Sequence, residues 1–211
     1  FGEILKTKSD RLERIYRERQ EEVYNWLLKS KKMPIKNGKD ILAEEMLTEY
    51  ENYCIWGGYP SVVLSKTILE RQKILNDILN NYLLKDIKGL LELVSDKNLL
   101  LLSQYLAVQT SNIVSYNNLS QVSGLNYRQV IKHLNILNET FICEDVSPFF
   151  RNRQKELSRN PKIFFNDLGF RNNLIDNMNT LDKRPDAGAL VENAVFVRLK
   201  EICVETARIN F

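Results

Sequence analysis

Between residues 98 and 166 the spacing of apolar side chains switches from the helical period to the extended one, and turn residues mark each switch. A helix is predicted from Asn98 to about Val108, followed by a short polar stretch. Residues 116–125 read as a short helix closed by a glycine turn at Gly124. Asn126 then caps another helix, with Val130, Ile131, Leu134 and Leu137 on its buried side. Two β-type runs follow, at residues 141–143 and 163–165, separated by a polar loop. Helix, helix, turn, helix, strand, polar loop, strand is the order of a winged helix-turn-helix with a small β-hairpin wing.

The flanking regions are helical, so the chain as a whole is expected to be mainly α: a helical bundle over residues 1–97, the winged helix at 98–166 and a further helical part at 167–211. Leu12, Ile15, Tyr16, Val23, Trp26 and Leu27 recur at helical spacing in one helix, which should stop near Lys32 because Pro34 and Asn37-Gly38 follow. A second helix starts after Asp40, with Ile41, Leu42, Met46, Leu47, Tyr50 and Cys54 inside, and ends at Gly57-Gly58. Thr67 and Glu70 form a capping-box pattern that opens a long helix running toward Lys85. Asp167 caps a short helix, and a final one runs from about Gly188 to Val204, with Leu190, Val191, Ala194, Val195, Val197, Leu199 and Ile202 as its apolar set.

Bulk properties remove several functional classes. A chain of 211 residues is one large domain or two small ones. Its formal charge of +3 is too small to carry an argument for nucleic acid by itself, so any basic patch must be local. Cys54, Cys143 and Cys203 are far apart and form no CxxC, which argues against a disulfide framework or a zinc site and for a reducing, cytoplasmic setting. No apolar run is long enough to span a bilayer, so no membrane partner is expected. The ends, Phe1-Gly2-Glu3 and Ile209-Asn210-Phe211, lack an initiator Met and read as those of a piece of a longer protein.

The helix after Asn126 is the candidate for chemistry. Tyr127, Arg128, Gln129, Lys132, His133 and Asn135 are expected on its exposed face. In helix-turn-helix docking, Arg and Gln in the first turn can reach base edges while Lys meets phosphate. The loop 151–162 adds Arg151, Arg153, Lys155, Arg159 and Lys162 against Glu156, a net +4. Over residues 103–166 the balance is only +3, which leaves protein docking open beside DNA contact. Gly38-Lys39-Asp40 lacks the upstream glycine and the Ser or Thr of a phosphate-binding loop and reads as a turn. His133 and Cys143 form no plausible nucleophile pair, and Glu192, alone in an apolar helix, reads as a partly exposed carboxylate rather than a metal ligand.

Several motifs in order resemble a family of predicted prokaryotic AAA+ ATPases. They are residues 56–60 (Trp-Gly-Gly-Tyr-Pro), 82–87, the segment 119–137, 147–149, 161–169 and 188–193, with residues 1–5 similar to the segment after that family's ATPase core. The resemblance implies an N-terminal ATPase that binds ATP and Mg2+, a winged helix, and a restriction-endonuclease-like tail whose first helix carries Glu192. This chain has neither the phosphate-binding loop nor a complete catalytic site, so no cofactor is expected within it. Three readings follow: an arm contacting double-stranded DNA, a scaffold docking a protein partner or sister subunits, or a truncated part of a metal-dependent nuclease-like domain.

Overall fold

A computed structural model describes residues 1–29, 41–87, 96–149 and 159–203. Among them the chain is mainly helical with one two-stranded antiparallel sheet, and it divides into two compact units, residues 1–53 and 54–211.

The first unit holds α1 (Gly2–Lys8), α2 (Asp10–Lys29) and most of α3 (Ile41–Trp56). Ser9 is extended (φ −161°, ψ 119°) and separates α1, which the periodicity did not single out, from α2, the helix expected around Leu12 to Leu27. Its hydroxyl accepts from the Leu12 N–H, a local bond that competes with helix continuation. Leu5 and Leu12 are buried, and the Phe1 ring meets Tyr16 and Tyr50 edge-on at 5.3 and 5.5 Å. Two expected inner positions are exposed instead: Val23, and Leu47 at 65%. The turn expected at Pro34 and Asn37-Gly38 lies outside the described residues, as does Gly38-Lys39-Asp40.

The second unit begins with the end of α3, which Gly57 closes in the left-handed region (φ 76°) as expected. Two short elements were not foreseen: α4 (Pro60–Leu64), started by a proline in its first turn, and a π-helical segment, Leu79–Ile87. Thr67 and Glu70 do form the capping box that opens α5 (Ile68–Ile78). The helix then changes to i→i+5 bonding instead of running on as α-helix. Wider turns keep Leu79, Leu83 and Ile87, four residues apart, on one face, with Leu83 and Ile87 fully buried in the main core.

That core is shared by α6 (Asp96–Val108), α7 (Tyr116–Ser123), α8 (Tyr127–Glu139) and the sheet. Strand β1 (Cys143–Val146) pairs with β2 (Lys162–Phe165) in antiparallel register, Cys143 opposite Phe165 and Val146 opposite Lys162. The first strand starts later than expected because Phe141 is in the left-handed region (φ 57°) and belongs to the turn. The other edge of β2 is occupied too. Pro161 O accepts from Val114 N (2.9 Å), Ile163 O accepts from Ser111 N (2.8 Å), and Ile113 bridges Lys162.

Asp167 caps α9 (Leu168–Leu174), and α10 (Ala187–Cys203) closes the described chain. The Asn193 side chain of α10 meets the backbone of Phe165, so α10 takes over the outer edge of β2 where residues 111–114 leave it. Phe196 is buried and stacks on Phe164 (centroids 4.3 Å apart), whereas Val195, expected inside, is 46% exposed.

Candidate nucleic-acid interface

The turn between α7 and α8 is built from local chemistry. Gly124 is left-handed (φ 70°, ψ 12°) and its N–H donates to Ser120 O, ending α7. Asn126 starts α8 with a full capping box: its Oδ1 accepts from Gln129 N (3.0 Å) and Gln129 Oε1 accepts from Asn126 N (2.9 Å). The side-chain oxygen of Gln129 is therefore committed to the cap, which narrows its use as a base reader.

On α8, Val130, Leu134 and Leu137 pack inward as expected. Tyr127, Arg128, Gln129, Lys132 and Asn135 are exposed. Tyr127 is also held edge-on against Tyr116, centroids 5.8 Å apart. Two positions are exchanged relative to expectation. His133 is buried at 1% exposure, and its Nδ1–H donates to Gln129 O (2.6 Å). Ile131, expected inside, is 36% exposed. Burial lowers the His133 pKa from its ordinary value, outweighing the backbone bond, which raises it. Burial also pushes the Cys143 thiol well up, which keeps it protonated.

The cations of this face lie toward the start of α8, and its one acid, Glu139, is the last residue of the helix. Residues 116–138 contain no Asp or Glu and carry Arg128 and Lys132. At the border, Asp145 of β1 bonds Asn138 Nδ2, and, after burial, helps raise the Tyr116 phenol above its ordinary pKa. Of the loop cations, Arg151, Arg153 and Lys155 lie outside the described residues. Arg159 is exposed, while Lys162 sits in β2 and pairs with Glu192 of α10 at 2.7 Å. Lys162 thus belongs to the α10 docking surface rather than to a phosphate-facing loop, and Glu192 has an ion-pair role there. Among the described residues, no group of three His, Cys, Asp or Glu side chains stands close enough to hold a metal ion.

Two polar clusters near α9 extend beyond the expected Asp167 cap, and their long-range contacts had no sequence signal. Asp167 accepts from Phe170 N and Gly58 N, both at 2.8 Å, and also from the Gly169 and Tyr59 amides. Removal from water raises its carboxyl above the ordinary value, with the four amides pulling the other way. Behind it, the Arg171 and Arg184 guanidiniums share the Asp186 carboxylate, while Asn172 Nδ2 donates to Cys54 O and Ile55 O at the end of α3. These contacts tie residues 54–58 to α9, and they explain why Gly57-Gly58 and Asp167-Leu168-Gly169 occur in one chain.

A family model described as a domain of unknown function, DUF8612, matches residues 47–181, from α3 to the 3-10 turn at Leu181–Lys183. The chain belongs to the DUF8612 family. The matched DUF8612 span takes in α7, α8, both strands and the Gly58–Asp167 contact; α10, with Glu192 and Asn193, lies beyond it. Nothing in this match links DUF8612 to an AAA+ ATPase. No curated protein matches the chain, and no solved structure does.

Proposed function

We propose that this DUF8612 chain contacts double-stranded DNA through α8 and the loop between β1 and β2, as the winged-helix arm of a larger ATPase. The carrying observation is the combination of topology and charge. Residues 111–114, β2 and β1 lie side by side in that order, and α6, α7 and α8 precede the strands as a winged helix requires. The outward face of α8 carries Arg128 and Lys132 in its first two turns, with Glu139 at its last residue. Arg128, in the first turn of α8, is assigned to base edges. Lys132, Arg159 and the loop residues Arg151, Arg153 and Lys155 are assigned to phosphates. Gln129 contributes chiefly by fixing the helix start. ATP and Mg2+ belong to the ATPase part, whose presence upstream is inferred from motif resemblance.

The second reading is a docking or self-association module, favoured by the apolar exposure of Tyr127 and Ile131 on the same helix. A mobility-shift assay with a mixed-sequence duplex, run beside sedimentation of the free chain, separates the two. A shifted duplex that Arg128→Ala weakens supports the DNA reading. A chain that self-associates and shifts no duplex supports the other. No observation favours the nuclease reading beyond Glu192 itself, whose carboxylate pairs with Lys162.

A further inference from the structure

The exchange of Ile131 and His133 on α8 has a chemical consequence. Val130, Leu134 and Leu137 face the core, and the Asn126–Gln129 capping box anchors the first turn, so the rotation of α8 about its axis is fixed. Ile131 is held at the edge of the outward face, one turn after the exposed Tyr127 and between Arg128 and Lys132 in sequence. A β-branched side chain is stiff at χ1, so ordering it against a ligand costs little entropy. Within the major groove the apolar group that distinguishes one base from another is the C5 methyl of thymine.

We propose that Ile131 reads thymine: on bound duplex its side chain packs against a thymine C5 methyl in the major groove, giving this face a preference for thymine-containing sites. The proposal rests on the DNA reading above. Its occupant is argued from charge complementarity, since Arg128 and Lys132 flank Ile131 in the first two turns of α8 and the one acid of that helix, Glu139, stands at its far end, which suits a polyanion at the helix start. Arg128 and Lys132 supply polar and ionic contact, and Ile131 supplies an apolar one that no phosphate can satisfy.

The test compares the full chain on two alternating duplexes, one of dA and dT and one in which deoxyuridine replaces every thymidine. Charge and hydrogen-bonding edges are the same, and only the methyl is removed. Burying one methyl-sized group predicts about fourfold tighter binding to the thymine duplex. Ile131→Ala should bring its affinity down to that for the uracil duplex, while Ile131→Val should keep part of the gap. Both variants change an exposed side chain, so the fold is retained. Salt-sensitive binding that is equal on the two duplexes, or a gap that survives Ile131→Ala, overturns the thymine reading and leaves the DNA reading standing. No binding to either duplex at about 50 mM salt overturns the DNA reading, and this inference with it.

Discussion

Asn193 pairs with both backbone groups of Phe165: its Oδ1 accepts from Phe165 N at 2.7 Å and its Nδ2 donates to Phe165 O at 2.7 Å. A side chain thereby substitutes for a neighbouring strand at the outer edge of β2. Ion pairs from the same helix on either side of Asn193, Glu192 with Lys162 and Lys200 with Glu144, support the contact. Asn193→Ala leaves a buried N–H and a buried C=O unpaired, at about 1–3 kcal/mol each. Urea unfolding should show a loss of roughly 2–4 kcal/mol, and Asn193→Asp, which can serve only the N–H, should lie near the same value.

Two glycines should respond to alanine for different reasons. A Cβ on Gly169 would overlap the Trp56 carbonyl and the Gly57 amide, backbone atoms that cannot move aside. Gly169→Ala is therefore expected to cost about 3 kcal/mol or more. A Cβ on Gly124 meets nothing within 4 Å, so only its left-handed backbone resists substitution. Gly124→Ala should cost about 1 kcal/mol, Gly124→Val somewhat more, and Gly124→Asn less. Thermal melts of the variants check the ranking.

Asp186 predicts behaviour in acid. Burial pushes its carboxyl up, but hydrogen bonds and charges from Arg184 and Arg171 outweigh this and hold it at about 2, below its ordinary 3.8. A depressed folded pKa contributes stability that is full above 3.8 and is lost as pH falls through about 2. Asp186→Asn leaves two buried guanidiniums without a carboxylate, so it should destabilise by about 3 kcal/mol near neutrality. The gap between the two proteins should shrink through that acid window in a pH series of unfolding curves.

The helix boundaries that were legible in the sequence are those set by local chemistry: the caps at Thr67, Asn126 and Asp167, and the glycine stops at 57 and 124. Contacts between distant residues were not legible. Nothing in the sequence couples Gly58 to Asp167 or Arg171 to Asp186, and residues 111–114 are too few to show an alternating pattern beside β2. The exchange of Ile131 and His133 is instructive. At about 100° per residue, Val130, Leu134 and Leu137 span a narrow arc; His133 lies roughly 40° beyond its Leu137 edge and Ile131 roughly 60° beyond its Leu134 edge, so His133 is the nearer of the two to the core. Sorting residues by polarity overrode helical geometry, and the geometry prevailed.

His133 gives a second pH signature. It is the single histidine of the chain, and burial lowers its pKa below the ordinary 6.5. Its neutral form is the one the fold accommodates. Stability should be full above 6.5 and fall as pH drops below it, because the unfolded chain takes up the proton first. Asp167, raised by burial, acts with the opposite sign, so the comparison must be with a variant. His133→Gln should flatten the decline below 6.5 in equilibrium unfolding, whereas an unchanged profile would show that His133 does not titrate there.

The central claim is that α8 and the loop after β1 meet DNA phosphates, and the salt dependence of duplex binding tests it most directly. Titration of a mixed-sequence duplex with the full chain between about 50 and 200 mM salt should give log K falling linearly with log salt. Lys132→Ala and Arg159→Ala, both at exposed positions, should each flatten that slope by roughly 0.9, as should replacement of Arg151, Arg153 or Lys155. Absence of binding at about 50 mM salt, or a slope that none of these replacements changes, would contradict the account.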